Sequence, residues 1–385
     1  MTERFSLDLS LDGIGIGAST TQAVTADAAE RTGSLWVHAA TQHVPQIAAS
    51  GFPVVYTAPS NARGQGIFRS LENTVAAHRQ LNGSADVAFD GNRYSGSGRS
   101  YGAGNLQPGW LQAQDDLGLS FLTLDGGYIV DGDWDGIGRL LDAGAAGKQR
   151  FGDRVHVDLA IDAKMLRHSP GRIVDLIGQS GCRVTLKLGH RTDPLARRDT
   201  VAALVQVLAA NNRVSLGRTD LAGVGALAVG ADHVSVGTTT SLRHVFPPTK
   251  KSGGGGRNVD FALIVPRALQ FRQHVRVLEA IAADPDNPRW VCLCGPCGGR
   301  SLERIRTEQQ AWEHSLSVVF DRANTMSALP TRAARIRHWS ERCAYADFEN
   351  RELRDEMPDW PVPEYHGAWK SALDDLVEDA GSKRQ

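Results

Sequence analysis

Three cysteines and a histidine within 23 residues carry the plainest chemistry in this sequence: Cys292-Leu-Cys294-Gly-Pro-Cys297, then His314 with sixteen residues between it and Cys297. Thiolates with one imidazole are what tetrahedral zinc prefers, and a closed four-ligand site of this kind is structural rather than catalytic. Gly295, Pro296, Gly298 and Gly299 suit a tight loop wrapped around an ion. His314 lies in TEQQAWEHSLSVVF, which reads as a helix, so one ligand would come from a helix and three from a knuckle. His338 is the reserve fourth ligand; the metal-free alternative is three buried or redox-active thiols. A second set of reactive types closes short apolar runs: Asp90, Asp125, Asp158, Asp162, Lys187, His190, Arg218, Asp220, Arg243 and His244. Asp90 and Asp125 each directly precede glycine, in FDGN and LDGG, where a substrate can approach closely. Any one of these aspartates reads equally well as a turn residue or helix cap, whereas several converging carboxylates suit catalysis.

The elements that must position these residues repeat one pattern. Eight β-branched apolar runs begin at Ser34, Pro53, Asp86, Ser120, Arg154, Arg183, Arg213 and Asp232, and each ends in a polar or glycine-rich loop. Between them lie helical signals: IFRSLENTVAAHRQL, DTVAALVQVLAANN, and SPGRIVDLIGQSG with Ser169 as cap, Pro170 first in the helix and Gly181 after it. LAGVGALAVGA, small and apolar, suits a tightly packed crossover helix. Strands alternating with helices imply right-handed βαβ units and a parallel sheet. Eight of them predict an α/β chain folded as a (β/α)8 TIM-type barrel, with its active-site groups at the C-terminal strand ends. The alternative is an open doubly wound sheet, which a G-x-G-x-x-G turn after the first strand would favour; none occurs there.

The expected organisation is an N-terminal extension over 1–33, the barrel over 34–247, a C-terminal zinc-binding helical subdomain over 248–345, and an acidic tail over 346–385 that packs on the surface or frays. PPTKKSGGGGRN supplies Lys250, Lys251 and Arg257, which with Arg300 are candidate contacts to nucleic-acid phosphates. RALQFRQHVRVLEAIAADP reads as one amphipathic helix with Arg267, Arg272 and Arg276 on its basic face. The formal net charge of −1 excludes a global basic field, so a polyanion site must be a local patch. The 41 glycines in 385 residues exceed the average of about 7% and suit a fold rich in tight junctions. No apolar run approaches the roughly 18–20 residues of a membrane span, and the first residues lack the order of a signal peptide. Five cysteines, three clustered, point to a reducing, cytoplasmic setting. Cys182 suits a core position.

An eight-stranded barrel followed by C-x-C-x2-C and a helical histidine resembles the tRNA-guanine transglycosylase superfamily, whose members make queuosine and archaeosine in tRNA and whose DNA-acting branch inserts 7-deazaguanines into DNA. The resemblance spans roughly residues 34 to 320 and rests mainly on the knuckle and on strands three and four. It implies a structural Zn2+ on Cys292, Cys294, Cys297 and His314, with Asp90 in FDGNRYSGSG standing for the family's strand-three catalytic aspartate and Asp125 for the strand-four aspartate that recognises the base. The sequence departs from the family at strand eight: Ser235 and Gly237 stand where its nucleophilic aspartate would be, and KLGHRTD replaces its glycine pair after strand six. The expected function is exchange of guanine for a 7-deazaguanine in nucleic acid, DNA ahead of tRNA. Asp90 is nucleophile or general base, Asp220 the second nucleophile candidate, Asp125 the reader of the base, and Arg218, Arg243 and His244 substrate contacts. Expected partners are DNA or tRNA, the deazapurine base, and a second copy or a partner protein, without a membrane. Two other classes compete: a metal-dependent barrel hydrolase drawing ligands from His38, His43, His156 and His190, and a non-catalytic zinc-containing nucleic-acid-binding protein.

Overall fold

Period-two patterning explains the barrel. In a computed structural model, which describes residues 33–81, 85–96, 98–104, 106–248 and 260–382 (side chains only to 376), the eight predicted runs are eight parallel strands. They are β1 (Ser34–Ala40), β2 (Val54–Thr57), β3 (Val87–Asp90), β4 (Leu122–Asp125), β5 (Val155–Asp162), β6 (Arg183–Gly189), β7 (Val214–Thr219) and β8 (His233–Gly237). Their order is β3-β2-β1-β8-β7-β6-β5-β4. The two ends of this sheet meet where Ser120 N–H donates to Val87 O at 2.9 Å and the Thr123 hydroxyl donates to Phe89 O, so it curls into a barrel.

One set of alternate residues (Leu35, Val37, Val54, Tyr56, Phe89, Leu122, Val157, Leu186, Leu216, Val234) belongs to the main apolar core under the helices. The other set faces the barrel interior. Toward the N-terminal strand ends it forms an apolar plug of Trp36, Val55, Ala88 and Phe121, with the His156 and His233 rings 4.5 and 4.9 Å from Phe121. One pleat further on, the inward residues are His38, Thr57, Asp90, Asp125, Asp158, Lys187 and Ser235, all buried. The registers Thr57↔Asp90 and Asp125↔Asp158 bring these polar groups to one level.

The helices around the barrel are α1 (Val44–Ala48), α2 (Gln65–Leu81), α3 (Trp110–Asp116), α4 (Trp134–Phe151), α5 (Ala163–His168), α6 (Pro170–Ser180), α7 (Arg198–Ala210) and α8 (Gly225–Val229). As expected, Pro170 opens α6 and Gly181 follows it in the left-handed conformation, φ 60°, although Ser169 makes no side-chain cap bond. Helix α8 is one short turn, buried throughout, of the small apolar residues foreseen for that crossover.

Beyond the barrel one expectation fails. The stretch from Arg267 is not one helix: β9 (Ala262–Val265) and β10 (Gln270–Gln273) form an antiparallel hairpin, and only α9 (His274–Ala283) is helical. Leu269 takes φ 45° in the turn, where the chain reverses, and Ala268, Leu269 and Gln270 are buried instead of lying on a continuous helical stripe. The hairpin β11 (Val291–Cys292) and β12 (Arg300–Ser301), then α10 (Glu308–Ser327) and α11 (Arg332–Glu356), follow. The acidic C-terminal stretch does not fray: α11 runs through it, α12 (Tyr365–Ser382) docks on α7 and α11, and Trp360, Tyr365 and Trp369 are buried. Its aromatic residues supply the apolar face that its acidic composition obscures.

Candidate active site and metal centre

Lys187 organises the polar layer of the barrel. Its Nζ lies 2.5 Å from Asp158 Oδ2 and 3.0 Å from Asp90 Oδ2, and 4.8 Å from the centre of the Tyr94 ring. Gly217 makes room for it, because a Cβ there would stand 2.8 Å from Thr185 Cγ2 and 3.3 Å from the lysine stem. Asp90 Oδ2 also accepts from the Tyr94 hydroxyl and faces His38 Nε2 at 3.1 Å, while Oδ1 accepts from Asn92 N–H at 2.7 Å. His38 Nδ1 pairs with Ser235 Oγ at 3.1 Å. Asp125 Oδ2 accepts from Gly91 N–H at 3.0 Å, and a Cβ on Gly91 would sit 2.6 Å from that oxygen. The glycine after Asp90 is therefore what lets the two loops meet. Asp125 Oδ1 is buried without a partner.

The electrostatics separate the three aspartates. Burial works to raise the Asp90 carboxyl, but Lys187, His38 and Arg218 overcome it and hold Asp90 well below the usual carboxylate range. Burial, with Asp158 and Asp90 nearby, pushes Asp125 well above that range. Burial also raises Asp158, against the pull of Lys187. Burial opposes the charge on Lys187, yet Asp158 and Asp90 raise it well above its ordinary value. His38, desolvated, drops to about 4 and is neutral at pH 7. The cluster thus sets a lowered carboxyl at Asp90 against raised ones at Asp125 and Asp158 around one ammonium, the separation of carboxyls that acid–base catalysis uses.

Arg218 joins this cluster to the barrel mouth. Strand β7 breaks register between Leu216 and Thr219, and Arg218 itself takes φ 49°. Its guanidinium donates to Asn92 Oδ1 at 2.8 Å, to the Tyr94 hydroxyl at 3.1 Å and to Ser241 O at 2.6 Å. Above it opens a cavity of about 310 Å3 lined by Thr57, Asn92, Arg99, Arg218, Ser241 and Phe246, among others.

The remaining expected site residues lie elsewhere. Asp220 caps a short 3-10 turn through Leu221 N–H at 2.6 Å and makes no contact with the Asp90 cluster. Arg243 stacks over Phe271, 3.4 Å from the ring centre, with Nε 3.4 Å from Gly237 O. His244 packs on Phe246 with ring centres 4.3 Å apart, and burial lowers it to about 4. Asp162 caps α5, and His190 folds back on Thr192. Arg300 donates to Cys297 O at 2.6 Å and Pro296 O at 2.9 Å, so it braces the knuckle. Lys250, Lys251 and Arg257 lie outside the described residues. His38, His43, His156 and His190 do not gather: His43 packs tilted against Trp312, ring centres 4.5 Å apart, and His156 stacks on Phe121. Tyr94, Asn92 and Ser235 were not legible as site residues, although FDGNRYSGSG contains the first two; their signal is proximity to Asp90 across a tight loop.

Cys292, Cys294, Cys297 and His314 are brought together and buried. The three sulfurs lie 3.6, 3.5 and 3.3 Å from His314 Nδ1. Zn–S and Zn–N bonds of about 2.3 and 2.0 Å at a tetrahedral angle give an S···N edge of roughly 3.5 Å, so the donor set fits that ion. His314 Nε2 lies 2.8 Å from Ile264 O on β9, which fixes the tautomer that leaves Nδ1 facing the sulfurs. Gly298 and Gly299 take φ 57° and 79° and fold the knuckle back, with Gly298 N–H on Cys294 O at 2.8 Å and Gly299 N–H on Cys292 O at 3.0 Å. His338 is not part of the group. Cys182 and Cys343 are buried free thiols away from it.

No family model matches the chain, and no curated protein matches it in sequence. Among solved structures it is similar to thiamine phosphate pyrophosphorylase from Pyrococcus furiosus, at 10% identity and a TM-score of 0.31, over 55% of this chain and 90% of that one. Among the described residues no helix is long and apolar enough to cross a membrane.

Proposed function

We propose that this protein is a transglycosylase that exchanges guanine for a 7-deazaguanine base in nucleic acid, DNA ahead of tRNA. The observation that carries the reading is the convergence of Asp90, Asp125 and Asp158, each with one carboxylate oxygen within 4.8 Å of the others, where Lys187 and His38 hold Asp90 low and burial raises Asp125. Breaking a glycosidic bond passes through an oxocarbenium-like state. Asp90 supplies the negative charge that stabilises that state or attacks the anomeric carbon. Asp125, whose Oδ1 has no protein partner, meets the polar edge of the base and exchanges a proton with it. Tyr94, on Asp90, turns away when the nucleoside enters, because its hydroxyl covers the carboxylate. A base inside a duplex cannot reach this depth, so the nucleotide is flipped or single-stranded. The ion held by the Cys3His group is structural zinc, 7-deazaguanine and nucleic acid are the partners, and a second copy or partner protein docks at the zinc region. No ligand from that group reaches the barrel interior.

The hydrolase alternative is less well supported. Its candidate ligands His38, His43, His156 and His190 do not gather, and a metal on the carboxylate cluster would compete with the Lys187 ammonium that pairs with Asp90 and Asp158. The test is incubation with labelled guanine or 7-cyano-7-deazaguanine together with DNA and with tRNA. Label entering either polymer is the expected result and names the acceptor; label in neither overturns the proposal.

A further inference from the structure

A second cavity, of about 270 Å3, opens at the barrel mouth beside the first, and three arginines line it: Arg63, Arg93 and Arg99, with Ser100 and Gln107. Arg99 lines both cavities. No carboxylate lines this one among the described residues, and none forms an ion pair with any of the three guanidinium groups. Three guanidinium groups without an ion-pair partner around one hollow favour an anion among them; the half-buried Arg93 is lowered chiefly by burial, with Arg63 adding to it against the pull of Asp125.

The site is built rather than incidental. Arg63, after β2, lays its guanidinium against the backbone of Gly98, where a Cβ would stand 2.2 Å from its Nη2. Arg99 is anchored by Gly96 O at 3.2 Å and Phe246 O at 2.8 Å. Arg93 sits between Asn92 and Tyr94, the residues that touch Arg218 and Asp90. An anion here is therefore tied through one loop to the carboxylate cluster. Guanidinium forks match phosphate oxygens in pairs, and a serine hydroxyl and a glutamine amide complete a donor-rich wall.

The geometry points to a phosphate subsite made by Arg63, Arg93 and Arg99 that grips a phosphate attached to the nucleoside bound in the neighbouring cavity. It rests on the base-exchange reading only for the identity of that nucleoside. The phosphate belongs either to a nucleic-acid backbone or to a free mononucleotide, and the experiment separates them.

Binding of a fluorescent single-stranded DNA 12-mer is measured by anisotropy across a salt series for the full-length protein, for Arg63→Gln/Arg93→Gln, and for Arg354→Gln as a control on the exposed end of α11. Guanosine 5′-monophosphate and inorganic phosphate compete in parallel. Single-stranded binding falls with salt at roughly 0.7 per neutralised phosphate on a log–log plot, so the double variant, which loses the grip on one phosphate, is expected to lose about 0.7 from its slope while the control loses none. An unchanged slope in a double variant with unchanged Tm overturns the subsite. If the mononucleotide binds, in an Arg93-dependent way, and the 12-mer does not, the subsite stands and the polymer acceptor falls. If the slope drops but no base exchange occurs, the subsite stands without the exchange reading.

Discussion

At the scale of residues, Lys187 decides whether the barrel interior is stable. Three aspartates, each with an oxygen within 4.8 Å of the others, are tolerated because one ammonium touches two of them and burial raises Asp125 toward its neutral form. Removing one member of a buried pair costs about 3–5 kcal/mol, so Lys187→Met should be destabilised by that order in urea unfolding, and Lys187→Met/Asp158→Asn should recover a large part of it. No recovery would mean that the lysine acts by packing alone. A second test concerns Asp193, which burial, with Asp220 nearby, raises to about 7, and whose Oδ2 has no partner. Its folded value lies above the unfolded one, so protonation favours folding: its effect is harmless below about pH 4 and destabilising as pH rises through 7. Asp193→Asn, which keeps the bond from Leu195 N–H, should raise Tm above pH 7, by on the order of 2–4 kcal/mol of stability, and change little at pH 4. Equal Tm values at pH 8 would contradict the shift. In the sequence, Asp90 and Asp125 were legible because a carboxylate before glycine at a strand end has few other reasons to recur. His38, Ser235 and Tyr94 were not, since nothing local says that a polar residue inside an apolar run faces the interior at the same level as Asp90.

At the scale of elements, helix packing turns on glycine positions. Helix α8 lies against α11 so closely that a Cβ on Gly225 would stand 2.2 Å from Trp339 Nε1. Gly225→Ala is expected to cost about 1–3 kcal/mol through overpacking. Gly178, inside α6 with nothing within 4 Å of its absent Cβ, behaves in the opposite way: Gly178→Ala should stabilise by about 0.5–1 kcal/mol. Chemical denaturation of both variants checks the pair, and equal signs would contradict the packing described. Strand and helix order was legible because period-two and period-3.6 runs alternate cleanly. The β9–β10 hairpin was not: QFRQ is too short for alternation to outweigh the helical run that follows, and its turn depends on Leu269 at positive φ, which no residue type announces. The C-terminal helices escaped for a different reason, since the mean composition of that stretch is acidic while its buried face is aromatic.

At the scale of the whole molecule, the Cys3His group ties the knuckle and α10 to the β9–β10 hairpin through His314 and Ile264, and α10 meets the barrel at Phe320, stacked 3.8 Å from Phe52 beside α1. Chelation should therefore release about one zinc per chain and melt this region, seen as lost protection of amides in β9 and α10 by hydrogen exchange. Retained protection after complete metal removal would separate the ion from the fold. The central claim is that the Asp90 carboxylate, charged at the floor of the mouth, performs glycosidic exchange. Its most direct test compares incorporation of labelled guanine into nucleic acid by the natural protein and by Asp90→Asn, with Tm and zinc content measured on both. The account predicts incorporation by the natural protein and a loss of at least about 100-fold in the variant, at equal zinc and with both proteins folded at the assay temperature; full incorporation by Asp90→Asn, or none by the natural protein, would contradict it.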